Sequence, residues 1–213
     1  MSLTTRSLKE LFVRSGHPIP DSALNPLLSY LALLMKWNQV IGLTAEKTMA
    51  DIVEKHAIDS IVLAETFNDN LLPCDPLLYD LGSGAGLPAI PLRILWQRGR
   101  SILVEKQRKR ASFLRYALAA LALKETSVFE GFAQDLPEKA DCLVSKAFLP
   151  IQKLLPLALT LLKDEGLLAV LTSHSVDTDA TKELRSWRCV REIAYTARSQ
   201  ARYLWILSPQ SVL

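Results

Sequence analysis

An α/β fold built on a mostly parallel sheet is the class that this 213-residue sequence predicts, and three observations carry it. From Leu77 onward, short apolar runs alternate with amphipathic ones, the rhythm of strands joined by helices. The first of these runs leads directly into three glycines at every second position, Gly82, Gly84 and Gly86, in "LLYDLGSGAGLPAIPLRIL". Before Leu77 the periodicity is helical alone.

Taken in order, "DSALNPLLSYLALLMKWNQVIGL" places Leu27, Leu31, Leu34 and Met35 at three- and four-residue steps behind a capping Asp21 or Ser22. "MADIVEKHAIDSIVLAETF" predicts a second long helix through Ile52, Ile58, Ile61 and Val62. The turn-rich "NDNLLPCDP" then marks a boundary, so residues 1–70 read as an N-terminal helical cap and 71–213 as one compact sheet-bearing domain. Strands are expected at Leu77–Leu81, Ser101–Glu105, Ser127–Glu130, Cys142–Ser145, Leu167–Thr172, Val190–Thr196 and Arg202–Leu207. Helices are expected at Leu87–Gln97, Lys109–Leu123, Ile151–Leu162 and about Asp177–Trp187. The last two strands are joined too closely for a crossover helix and should be antiparallel. The sum is a Rossmann-like, seven-stranded, mostly parallel sheet.

Composition bounds the function. Half of the chain is apolar, enough for a sizeable core. No apolar run is long enough to span a bilayer, and "MSLTTRSLKELFVRSG" lacks the features of a secretory signal, so a cytoplasmic location is expected. Cys74, Cys142 and Cys189 are far apart, and His17, His56 and His174 add no ligand spacing, so no metal is expected. The net charge is only +3, but Lys106, Arg108, Lys109, Arg110 and Arg115 crowd into "EKQRKRASFLR". That run is either a solvated helix face or a set of phosphate contacts.

The glycine turn follows the first strand and opens a helix, the position where open α/β sheets bind ligands. Gly82, Gly84 and Gly86 let the backbone bend and approach a ligand closely, and Pro88 and Pro91 suit a first helical turn. The spacing is G-S-G-A-G, whereas a dinucleotide site prefers G-x-G-x-x-G, and Asp80 would repel a phosphate there. A cationic ligand suits that carboxylate better. The sulfonium and amino groups of S-adenosyl-L-methionine fit, with Asp80, Gly82, Ser83, Gly84 and Gly86 around them. Glu105 ends the second strand, where an acidic side chain can accept both ribose hydroxyls of a nucleoside. The competing readings are a purely structural turn and an ordinary exposed glutamate.

Five segments narrow the match: "KWNQVIGLT", "HAIDS", "DLGSGAGLPAIPL", "KRASFLR" and "VSKAF", in this order across roughly residues 20 to 150. In them the chain resembles the bacterial family that methylates N7 of a guanine in small-subunit (16S) ribosomal RNA, the glucose-inhibited division protein B family. The resemblance implies a class I S-adenosylmethionine-dependent methyltransferase, with that RNA inside the small ribosomal subunit as its partner. It places cofactor contacts at Gly82, Leu87, Ala133, Gln134 and Lys146. Lys146 stands where the family usually has arginine, and Thr172-Ser173 stands where it tends to have Lys-Gly. The Arg-to-Lys change keeps the charge but loses a planar fork.

Guanine N7 is a bare lone pair, so its methylation needs positioning and electrostatics and no dedicated general base. The absence of a Ser/His/Asp or Cys/His pattern agrees with that. "SKAFLP" replaces the Pro-Pro-aromatic loop of exocyclic-amine methylation, and Cys74 precedes the cofactor loop, unlike a cytosine-C5 nucleophile. For RNA contact the candidates are Trp37, Asn38, Lys106, Arg108, Lys109, Arg110 and Arg115. Trp37 has a competing role in core packing, and His56 and Asp59 are spaced to brace each other on one helix face. The rivals in function are a scaffold that binds S-adenosylmethionine without turnover, and a methyltransferase for another RNA or a small molecule.

Overall fold

A computed structural model describes residues 3–175 and 182–210. Seven strands form one sheet: β1 (Leu77–Leu81), β2 (Arg100–Glu105), β3 (Thr126–Glu130), β4 (Ala140–Lys146), β5 (Leu162–Thr172), β6 (Trp187–Ala197) and β7 (Gln200–Pro209). Their order is β3-β2-β1-β4-β5-β7-β6. β1 to β5 are mutually parallel, and β7 runs antiparallel to both β5 and β6. All five residues of β1 are buried, as expected of a parallel strand covered on both faces. The expected strands are all present, most of them extended by one to several residues.

Helices α1 (Thr5–Arg14), α2 (Asp21–Ile41), α3 (Met49–Ile52) and α4 (Ile58–Phe67) precede the sheet, and α5 (Ala89–Leu95), α6 (Arg108–Ala120) and α7 (Ile151–Leu161) connect its strands. Leu8, Phe12, Leu27 and Leu31 of the first two helices share one core with Ile90 of α5 and Phe113 and Leu114 of α6. On the same side of the sheet, Ile58, Leu63 and Phe67 of α4 pack with Leu78, Val144 and Ile206. Leu154, Leu155 and Ala158 of α7 cover the other face, against Tyr79, Leu143 and Trp205.

Three helical expectations change. The α2 cap position is Pro20, and Asp21 is already the first helical residue, where its carboxylate suits the helix dipole and meets Lys9 Nζ at 2.6 Å. The helix expected across Met49–Phe67 is interrupted by a π-helical turn at Val53–Ala57. Of the helix expected near Asp177–Trp187, residues 176–181 lie outside the described residues, and Lys182–Ser186 form a 3₁₀ turn instead. The segment 68–76 forms turns and bends, and the antiparallel close of the sheet is as expected.

Candidate active site

Strand order reverses at β1, which has β2 on one side and β4 on the other, so the crevice at their carboxyl ends is the natural ligand position. The glycine loop fills its base. Gly82, Gly84 and Gly86 have φ of +70°, +55° and +82°, a region that only glycine enters cheaply. Gly82 and Ser83 donate backbone N–H groups to Val104 O at 2.9 and 3.0 Å, pinning the loop to β2. A Cβ on Gly82 would lie 2.5 Å from Phe148 Cδ2, and one on Gly86 2.6 Å from Ile90 Cδ1. The loop thus needs glycine for both conformation and space. Pro88 precedes α5 and Pro91 lies in its first turn, where missing N–H groups cost nothing.

Asp80 is 2% exposed, and its Oδ2 has no hydrogen-bond partner. Burial pushes its pKa up to about 6, against the opposing pull of a Ser83 hydrogen bond and of Lys146. Glu105 is also buried, but both of its oxygens are engaged. Oε2 accepts Gly84 N–H at 2.9 Å and Oε1 accepts Gln107 N–H at 2.8 Å. A carboxylate has about four acceptor sites, so these bonds orient it without exhausting it.

A cavity of about 350 Å³ opens above the loop. It brings together Gly82, Glu105, Lys106, Arg110, Ala133 and Gln134 from three separate strand ends. Ala133 and Gln134 belong to a 3₁₀ turn after β3, and the exposed Phe132 stands at the rim with Lys106 Nζ 5.7 Å from its ring. Asp80, Ser83, Gly84, Gly86, Leu87 and Lys146 lie outside the cavity lining; Ser83 and Gly86 are buried in the loop, Leu87 packs against the helical core, and Lys146 lines a different cavity. The residues fit S-adenosylmethionine: an adenosine-sized cavity with an acidic floor, a glycine where a side chain would block entry, and a buried carboxylate oxygen awaiting a donor.

A second cavity, of about 580 Å³, lies beyond the ends of β4 and β5. Lys146, His56, Ser145, Gln152, Thr172 and Arg202 are among its lining residues. Ala147 and Leu149 border both cavities, and Ala147 has a φ of +52°, an uncommon conformation for a non-glycine residue.

Lys146 is the centre of an ionic network. Its Nζ lies 2.5 Å from Asp59 Oδ2 and 3.2 Å from His56 Nδ1. Tyr195 OH donates to Asp59 Oδ1 at 2.7 Å, and Glu46 Oε1 lies 3.4 Å from His56 Nε2. Burial, then the Lys146 charge, depress the His56 pKa to about 4, so the ring is neutral near pH 7 and Nδ1 accepts from the ammonium. His56 and Asp59 therefore meet through Lys146 and not as the direct pair their spacing suggested.

Trp37 is partly buried, its ring centroid 5.7 Å from Phe113 and 5.5 Å from Tyr116, which places it between α2 and α6 as packing. Asn38 is engaged within the chain: Oδ1 accepts Thr44 N–H at 2.8 Å and Nδ2 donates to Glu46 O at 3.3 Å. Arg115 pairs with Glu130 at 2.7 Å. Among the described residues no ion pair engages Lys106, Arg108, Lys109 or Arg110, and the first three are exposed. Phe132, Phe148, Glu46 and Tyr195 had no sequence signal as site residues; the nearest hint was the complementary charge of Asp59 and Lys146 in the motifs "HAIDS" and "VSKAF".

Sheet order, glycine loop and strand-end cavity together define an S-adenosylmethionine-dependent methyltransferase of class I. Magnesium protoporphyrin IX methyltransferase from Synechocystis PCC 6803, solved with bound SAM, shares this fold with a TM-score of 0.61 at 15% identity, over 85% of this chain and 97% of that one. The putative methyltransferase yhhF from Escherichia coli does so with a TM-score of 0.56 at 16% identity, over 71% and 86% of the two chains. The particular family is fixed by sequence: the chain belongs to the rRNA small subunit methyltransferase G family, whose profile matches residues 23–202. Relatives named ribosomal RNA small subunit methyltransferase G include that of Nitratidesulfovibrio vulgaris strain DP4, 36% identical over 98% of this chain and 96% of its own length. That of Lawsonia intracellularis is 36% identical over 96% and 95%.

Proposed function

We propose that the chain transfers the methyl group of S-adenosylmethionine to N7 of one guanine in 16S ribosomal RNA, acting in the cytoplasm on the small ribosomal subunit. The observation that carries this is the meeting of the two cavities at Ala147–Leu149. The cofactor supplies a methyl carbon made electrophilic by its sulfonium. Gly82, Glu105, Ala133 and Gln134 hold the nucleoside end, and Asp80 offsets positive charge beneath the loop. The larger cavity receives the acceptor base, extruded from its stack as enzymes acting on bases require. N7 has no proton to lose, so Lys146 and its neighbours orient the base and take no proton from it. Lys106, Arg108, Lys109 and Arg110 meet the RNA phosphates at the rim. Residues 1–70 form a cap that carries Asn38, Glu46 and His56 to the acceptor side of the 71–213 methyltransferase unit.

The test is methyl transfer from labelled S-adenosylmethionine to small subunits lacking the modification, mapped by N7-methylguanine-specific strand cleavage. One labelled guanine is expected. Cofactor binding without transfer would replace this function with a scaffold role, and label on free RNA alone would move the substrate off the assembled subunit.

A further inference from the structure

Lys146 has more negative and neutral company than base binding needs. Its ammonium has three donors; it bonds His56 Nδ1 and forms an ion pair with Asp59, which leaves donor capacity for the cavity. Asp59 is 0% exposed on α4, out of reach of RNA, and Tyr195 from β6 fixes its orientation across 136 residues of chain. Burying a carboxylate in this way is costly unless its charge is used.

We propose that Asp59 is a positioning residue that balances the charge of Lys146, so that the acceptor guanine can become cationic beside it. The role rests on the N7 function above. In the transfer, the N7 lone pair forms the new N–C bond while the S–C pair returns to sulfur. No proton moves, and the positive charge of the sulfonium passes onto the guanine ring. An unbalanced ammonium next to that ring would oppose the step, most strongly in a poorly solvated pocket. Asp59 removes the opposition while Lys146 keeps a donor for the guanine O6. The other groups around Lys146 fit the same balance. His56 is neutral, and Glu46 is paired with Lys55 at 2.7 Å. Asp80 on β1 is a second buried carboxylate acting on Lys146, while Arg202, paired across the hairpin with Tyr195, is a second cation lining the cavity.

Asp59→Asn keeps the shape and the acceptor for Tyr195 but removes the charge. Its kcat on subunits at pH 7 should fall at least ten-fold, with the KM for subunits changed less than three-fold and active enzyme counted by cofactor-binding stoichiometry. An ammonium without its counter-charge opposes the cation forming beside it, so the loss should lie in the chemical step and appear in kcat. The double variant Asp59→Asn/Lys146→Gln carries no buried charge at this position and serves even if the single variant does not fold. Without Lys146 its kcat falls below the parent's, but it should match or exceed that of Lys146→Gln alone, because Asp59 then has no ammonium to balance. A double variant slower than Lys146→Gln alone, or a single-variant loss that lies in KM, overturns the role. Parental enzyme that fails to methylate N7 would instead sink the function on which it rests.

Discussion

Burial beneath the glycine loop moves the Asp80 carboxyl from 3.8 to about 6, with desolvation as the largest cause. The folded state therefore binds this proton more tightly than the unfolded chain does. The resulting stabilisation is complete below about pH 4 and is lost as pH rises to about 6, after which the ionised group costs about 3 kcal/mol. A liability of that size at a strand end, with one oxygen unpartnered, is understandable where a cationic ligand restores the balance. Asp80→Asn should raise the Tm of the cofactor-free protein at pH 7.5 and flatten its dependence between pH 4 and 6. The same change should weaken S-adenosylmethionine binding at least ten-fold by calorimetry. Undiminished affinity would remove Asp80 from the cofactor site. The neighbouring Glu105 carboxylate is held by two backbone N–H groups, which fix its orientation toward the cavity.

Between single residues and the whole chain, the connection from α2 to the π-helical turn shows how a motif acts at a distance. Asn38 ties down Thr44 and Glu46, Glu46 faces Lys55 and His56, and His56 accepts from Lys146. Asn38→Ala would leave the half-buried Thr44 N–H without its partner, at a cost of about 0.5–1.5 kcal/mol. The expected result is a lower Tm and a reduced kcat with unchanged cofactor affinity; an equal loss of cofactor affinity would mean that the loop supports the other cavity. Much of the element pattern was legible because strands covered on both faces read as short apolar runs, and Leu77–Leu81 matches to the residue. The π turn was not, since Val53, Ala57 and Ile61 keep steps of four across it, as an uninterrupted helix would. Nor does any local pattern separate Asp21 as first helical residue from Asp21 as cap, because carboxylates favour both positions.

Across the whole molecule, sequence order says which strand follows which but not which side chains from opposite ends of the chain will touch. Tyr195 reaches Asp59 only because β7 and β6 close the sheet antiparallel beyond β5. The cofactor side was readable, since its loop is a local motif; the acceptor side was assembled from α4, the π turn, β4, β5 and the terminal hairpin. Charge is distributed on the same scale. The net charge of +3 is small, and several arginines are neutralised locally, as Arg115 is by Glu130, Arg191 by Asp69 and Arg198 by Asp51. Arg108, Lys109 and Arg110 are instead consecutive at the start of α6, with no acidic residue in that turn. Cations at the positive end of a helix dipole destabilise it by about 0.3–1 kcal/mol each, so this run opposes stability. Binding RNA phosphates beside the cofactor cavity accounts for it. Replacing Arg108 and Lys109 by alanine, singly and together, should weaken small-subunit binding and reduce the slope of log affinity against log salt by about one per side chain. Thermal stability should hold or rise slightly, and S-adenosylmethionine affinity should stay the same, because neither residue lines the cavity. An unchanged salt slope would make this face a solvated surface and place the RNA contacts elsewhere on the molecule.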